Sequence, residues 1–109
     1  MSVGLFKYDG DIYEENSEVI LSENISSEPF YERYWEKAIK ELGIKYIKDG
    51  AEFDHTKLGV VMEELDLLKS WAITNLQGEN QEYMIARIEH LEKVIPSSFI
   101  SEQDILYIF

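Results

Sequence analysis

Ile105-Leu106-Tyr107-Ile108-Phe109 closes the chain as an unbroken apolar run of strand length. Alternation is missing, so both faces of this strand want covering, which suits an interior place in a sheet. Its partners are sought at the other end of the chain. Val3 to Tyr8 is short and apolar, and Asp9-Gly10 after it suits a two-residue hairpin turn, because both positions tolerate positive φ. Asp11 to Glu15 reads as the returning strand, and Val19-Ile20-Leu21 as a further one. Strands from both termini then share one mainly antiparallel sheet. The order is ββ(β)-α-β(β)-α-α-β, an α+β fold in a single domain over residues 1–109.

Three helices fill the middle. In the first, Ser26 or Ser27 can cap the start, Pro29 suits the first turn and Gly43 the C-terminal stop. Between them Phe30, Tyr31, Tyr34, Trp35, Ala38, Ile39 and Leu42 recur at spacings of three and four, which places Phe30, Tyr34 and Trp35 in the core. Ile44 to Lys48 suggests a strand, with Asp49-Gly50 turning into Ala51-Glu52-Phe53. Asp54 or Thr56 can cap a second helix, whose inner stripe is Leu58, Val61, Met62, Leu65, Leu68 and Ala72. Asn80 can cap a third, carrying Met84, Ile88, Leu91 and Ile95, which Pro96 ends. The short Gln77-Gly78-Glu79 connection makes helices two and three an antiparallel pair.

Charge is the other dominant feature. Twenty-two Asp and Glu against ten Lys and Arg give −12 on 109 residues, with a pI near 4.4. The densest acidity is N-terminal: residues 1–32 hold eight acids against Lys7 alone. Residues 33–48 are net basic, with five bases against two acids, and the remainder returns to twelve acids against four bases. Such an excess repels nucleic acid, whose binding needs a basic face, and attracts a cationic partner. At 45% hydrophobic and 13% aromatic residues the chain can still build a core. No cysteine is present, so neither disulfide nor thiolate metal site can form. Met1 to Tyr8 lacks the basic start and long apolar run of a secretory signal, and no apolar stretch approaches the ~20 residues of a membrane span. A cytoplasmic setting without membrane contact is the expectation.

Catalytic and cofactor signatures are missing. His55 and His90 belong to no HExxH pair, and His90, between Glu89 and Glu92, reads as part of a solvated helix face. No serine sits in a G-x-S-x-G elbow, and no glycine pattern makes a phosphate loop. Asp9 to Glu15 has a faint look of a calcium loop, but Glu14 stands where an EF-hand needs glycine. No enzyme, cofactor or metal is expected; a small enzyme with an unconventional carboxylate site ranks last.

The candidate contact residues are therefore acids beside aromatics. Tyr8 and Tyr13 flank the acidic turn, where the ring supplies apolar area and the carboxylates supply complementarity, although edge-strand packing accounts for them equally well. The expected surface is Tyr8, Asp9, Asp11, Tyr13, Glu14, Glu15 and Glu18. A second acidic candidate is Glu63, Glu64 and Asp66 on the outward side of helix two, where a solvated face is the plainer reading.

The opening Val3-Gly4-Leu5-Phe6-Lys7-Tyr8-Asp9 and the helix Leu58…Met62-Glu63-Glu64-Leu65-Asp66-Leu67-Leu68 belong to an acidic, cysteine-free single domain without a catalytic motif. That profile resembles the immunity proteins of bacterial polymorphic-toxin and contact-dependent growth-inhibition systems. The likeness runs loosely from residue 3 to about residue 76. It implies a cytoplasmic protein that binds a cognate toxin, often a nuclease (RNase or DNase), and blocks its substrate site. Physical reasoning points the same way, since a nuclease cleft is basic and an acidic protein is steered into it. The alternative is an acidic adaptor or nucleic-acid mimic that engages a housekeeping protein.

Overall fold

The computed structural model describes residues 2–9 and 18–109, with the side chain of Asp9 left aside. Four strands form one antiparallel sheet: β1 (Ser2–Asp9), β2 (Glu18–Ser27), β3 (Glu52–Asp54) and β4 (Ile105–Ile108), in the order β2-β1-β4-β3. The C-terminal run is indeed an interior strand, between β1 and β3. With the three helices this makes the α+β arrangement expected from the sequence. The expected Asp9-Gly10 turn and the Asp11–Glu15 strand lie largely outside the described residues, and Val19-Ile20-Leu21 belongs to the longer β2.

Helix α1 spans residues 28–42, with Pro29 in its first turn and Gly43 (φ 69°) ending it in the left-handed conformation that favours glycine. Ser27 holds the N-cap position without a side-chain bond. Its middle, Tyr31–Trp35, is a π-helical turn in which the Glu36 N–H reaches back to the Tyr31 carbonyl. Four aromatic residues fall at or beside this wider turn. Tyr31 and Trp35 stack at 6.4 Å in the core, while Phe30 and Tyr34 pair at 4.7 Å on the flank, against Tyr83.

The segment after α1 departs from expectation. The expected strand at 44–48 does not form: residue 44 is irregular and residues 45–48 are bends. Ile44 and Ile47 are both buried, a spacing of three that no strand can turn to one side. The N–H groups of Lys45, Tyr46 and Ile47 go to the carboxylate of Glu64, so they are lost to any sheet ladder.

Helix α2 (Leu58–Asn75) follows a short 3₁₀ turn that Asp54 caps through the Thr56 N–H. Helix α3 (Gly78–Ser98) starts two residues before the expected Asn80 and runs two past Pro96. Asn80 instead donates to the Tyr34 hydroxyl, while the Gln81 amide closes the end of α2 on the carbonyls of Ile73 and Leu76. Pro96 sits in the last turn, where it removes one intrahelical N–H, and the hydroxyls of Ser97 and Ser98 support that turn by donating to Lys93 and Val94 carbonyls. α2 and α3 pack together, with Lys69 paired to Glu92 at 2.6 Å.

All three helices contribute to one core, which includes Leu5, Trp35, Leu65, Leu68, Ile88, Leu91, Leu106 and Ile108. That core lies on a single face of the sheet. Strand alternation turns Val3, Leu5, Lys7, Phe53, Leu106 and Ile108 toward the helices. Among the described residues, no helix packs against the opposite face, where Phe6, Tyr8 and Tyr107 stay partly exposed.

A candidate partner-binding surface

The uncovered sheet face is built by the residues that alternate outward. Phe6, Tyr107 and Glu52 make one cross-strand row, extended by Ser22 on β2. Tyr8 stands opposite Val19, and Asp54 opposite Ile105. Four rings join into a cluster: Phe6 stacks on Phe109 at 4.8 Å and lies 6.4 Å from Tyr8, which meets Tyr107 edge-on at 5.8 Å. Gly4 makes this possible. A Cβ there would stand 2.8 Å from the Phe6 ring, so only glycine lets that ring lie flat over β1. Phe109 is held by a reciprocal backbone pair with Gly4.

This face is apolar and acidic at once. Val19, Ile105 and Phe109 are exposed to 51%, 38% and 47%. Glu52 is exposed on β3, and Asp54 beside it is held below the usual carboxylate range, chiefly by the Thr56 hydroxyl and then its N–H. Among the described residues, no strand position turned outward is Lys or Arg. Lys57 stands at the β3 margin, lining a groove of about 200 Å³ with Glu52, Asp54 and Ile105. At the opposite end, Phe109 borders a second pocket of about 170 Å³ that Glu28, Glu32, Glu36 and Asp49 line with Tyr31. Burial raises the Tyr31 phenol, whose oxygen accepts the Asp49 N–H.

The residues singled out from sequence are dispersed. Tyr8 lies on the open face. Asp9 ends β1 opposite Glu18, which is exposed but alternates to the other side from Val19. Asp11, Tyr13, Glu14 and Glu15 lie outside the described residues. Glu63 and Asp66 are exposed on α2, on the helical side of the molecule. Glu64 is corrected: it is 6% exposed, and its carboxylate accepts N–H groups at 2.7, 3.0 and 3.1 Å from residues 45–47. It is an internal anchor, unavailable to a partner in this fold.

His90 is corrected too. It is half-buried and pairs with Glu23 of β2 at 2.7 Å. With Arg87, which donates to the Asn24 carbonyl, and Tyr83, which accepts the Ser27 N–H, it forms a stripe along α3 that covers the β2 edge. Among the described residues, no three His, Asp or Glu side chains are placed to hold a metal, and no helix is long and apolar enough to cross a membrane.

Phe6, Tyr107, Phe109, Glu52 and Asp54 were not among the residues expected at the site. The signal for them was the apolar run at 105–109. Read as covered on both sides, it is covered on one. Compared with known proteins, the chain matches no family model, no curated protein and no solved structure.

Proposed function

We propose that the protein acts by stoichiometric binding, as a non-catalytic inhibitor that covers the basic active site of a bacterial toxin domain in the cytoplasm, the toxin being an RNase or DNase. The supporting observation is the open sheet face, where partly exposed aromatic rings adjoin carboxylates and no outward strand position among the described residues carries a base. Aromatic anchors with charged neighbours are the composition from which protein interfaces draw most of their energy. The net charge of −12 steers such a surface toward a cationic cleft, raising association by roughly 10- to 1,000-fold at low salt. The toxin identity comes from the sequence resemblance and from the fit between an acidic protein and a cleft built to hold phosphates.

The test is to co-express the protein with the C-terminal domain encoded immediately upstream. The expected result is a one-to-one complex on copurification and rescue of growth. A domain that is toxic yet neither bound nor neutralised defeats the proposal. Binding to several unrelated basic proteins with one common salt dependence would replace the inhibitor with an acidic adaptor.

A further inference from the structure

We infer that the open face of the sheet is where the partner docks, and that its occupant is an arginine-bearing surface of a basic protein. The inference rests on the reading that the protein binds a basic partner, and adds where the contact lies and which side chain it selects. A guanidinium is planar, stacks on aromatic rings and takes a carboxylate through two parallel hydrogen bonds. The face offers both halves of that recognition side by side. Tyr107 is opposite Glu52 in the ladder, and Tyr8 lies edge-on to Tyr107. Lysine, a compact and strongly hydrated charge, gains less from the rings.

A second copy of this chain is a poor occupant, since it brings −12 and the same carboxylates to the contact. Area also constrains the partner. Strands about 4.8 Å apart and rising about 3.3 Å per residue give this four-stranded face roughly 400 Å², half of the ~800 Å² per side of a stable complex. The contact must spill over one margin. Toward β2 the described residues that it meets are Val19, Ser22 and Asn24, none of them charged, whereas past Phe109 it reaches the pocket lined by Glu28, Glu32, Glu36 and Asp49. Charge complementarity selects the second direction.

The full-length ¹⁵N-labelled protein is titrated at low salt with nona-arginine and, separately, nona-lysine, following backbone amide shifts. The largest shifts are expected on β1, β3 and β4, with nona-arginine binding about threefold or more tighter. Phe109→Ser with Glu52→Lys should weaken nona-arginine about tenfold, and Glu63→Lys on α2 less than threefold. Glu52→Lys alone, a surface change, carries the same test should Phe109→Ser disturb folding. Shifts centred on α2 and α3, equal binding of the two peptides, or equal losses for Glu52→Lys and Glu63→Lys each overturn the docking surface. No toxin enters this experiment, so failure of the co-expression test and failure of the docking surface are read separately.

Discussion

Replacing Glu64 should unfasten the segment that joins α1 to the sheet. Its carboxylate receives three backbone N–H groups, those of Tyr46 and Ile47 at one oxygen and that of Lys45 at the other. Hydrogen bonds to a charged acceptor each contribute about 1.5–3 kcal/mol, and a buried donor left alone costs about 1–3 kcal/mol. Ile47 is wholly inside, so its N–H bears the full penalty in Glu64→Ala, while the two more open N–H groups can recruit water. The sum is about 3–4 kcal/mol, a large part of the roughly 5–15 kcal/mol that holds such a domain folded. Glu64→Gln separates geometry from charge. Its carbonyl oxygen can keep Tyr46 and Ile47, but its amide nitrogen then faces the Lys45 N–H, donor against donor, for a loss of about 2 kcal/mol. Urea denaturation at neutral pH measures both, with the slope unchanged if only the folded state is affected. Amide exchange at Lys45, Tyr46 and Ile47 should rise in parallel. A Glu64→Ala protein within 1 kcal/mol of the parent would refute this account, because the buried Ile47 N–H alone should cost more than that.

Lys7 is the buried cation of β1, donating to the Ser98 carbonyl at 2.7 Å and pairing with Asp104 at 3.0 Å. Lys7→Met should cost about 2 kcal/mol in urea denaturation, mostly by stranding Asp104 beside the loop that follows α3. Asp104 also carries an acid dependence. The Ser101 N–H first, with Lys7 and the Ile100 N–H, holds its carboxyl below the ordinary 3.8. A carboxyl lowered on folding stabilises above its unfolded pKa and loses that contribution as pH falls through the folded value. Stability should therefore drop below about pH 4, and Asp104→Asn should flatten part of that slope in denaturation series from pH 7 to 2.5. Tyr83→Phe removes the acceptor for the Ser27 N–H, and should speed exchange of that amide while costing about 1 kcal/mol.

Regular elements were legible because their cues are local. The 3.6-residue period and the left-handed stop at Gly43 mark α1, and the run at 105–109 marks an interior strand. The turned-in polar groups were harder, although each left a trace. Glu64 falls three after Val61 and four before Leu68, on the apolar stripe and not outside it. Lys7 is two after Leu5, on the inward parity of β1. Pattern reading assigns charges outward by default, and a buried carboxylate or ammonium escapes it because its partners are set by tertiary contact: 17 to 19 residues away for Glu64, 91 for Lys7 and Ser98. The same limit applies to 44–48, where Glu64 takes the N–H groups that a strand would have given to its neighbour.

What the apolar C-terminal run could not reveal alone is which of its two faces this chain covers. In parallel sheets, crossover helices cover both sides; an antiparallel sheet joined by local connections can leave one side open. Here the helices take Leu106 and Ile108, and Ile105, Tyr107 and Phe109 remain on the outside with Phe6 and Tyr8. An interior strand has its hydrogen bonds satisfied, so this face offers a partner rings and carboxylates and not a strand edge. The long β2 edge, which could recruit another chain by pairing, is occupied at Asn24 and Ser27 by Arg87 and Tyr83. The acidic excess completes the division of labour. It makes copies of the chain repel while the aromatic face stays exposed, and it makes a cation the favoured visitor. Under the proposed function, fold and charge converge on recognition through side chains, on one side of the sheet, by a surface of opposite sign.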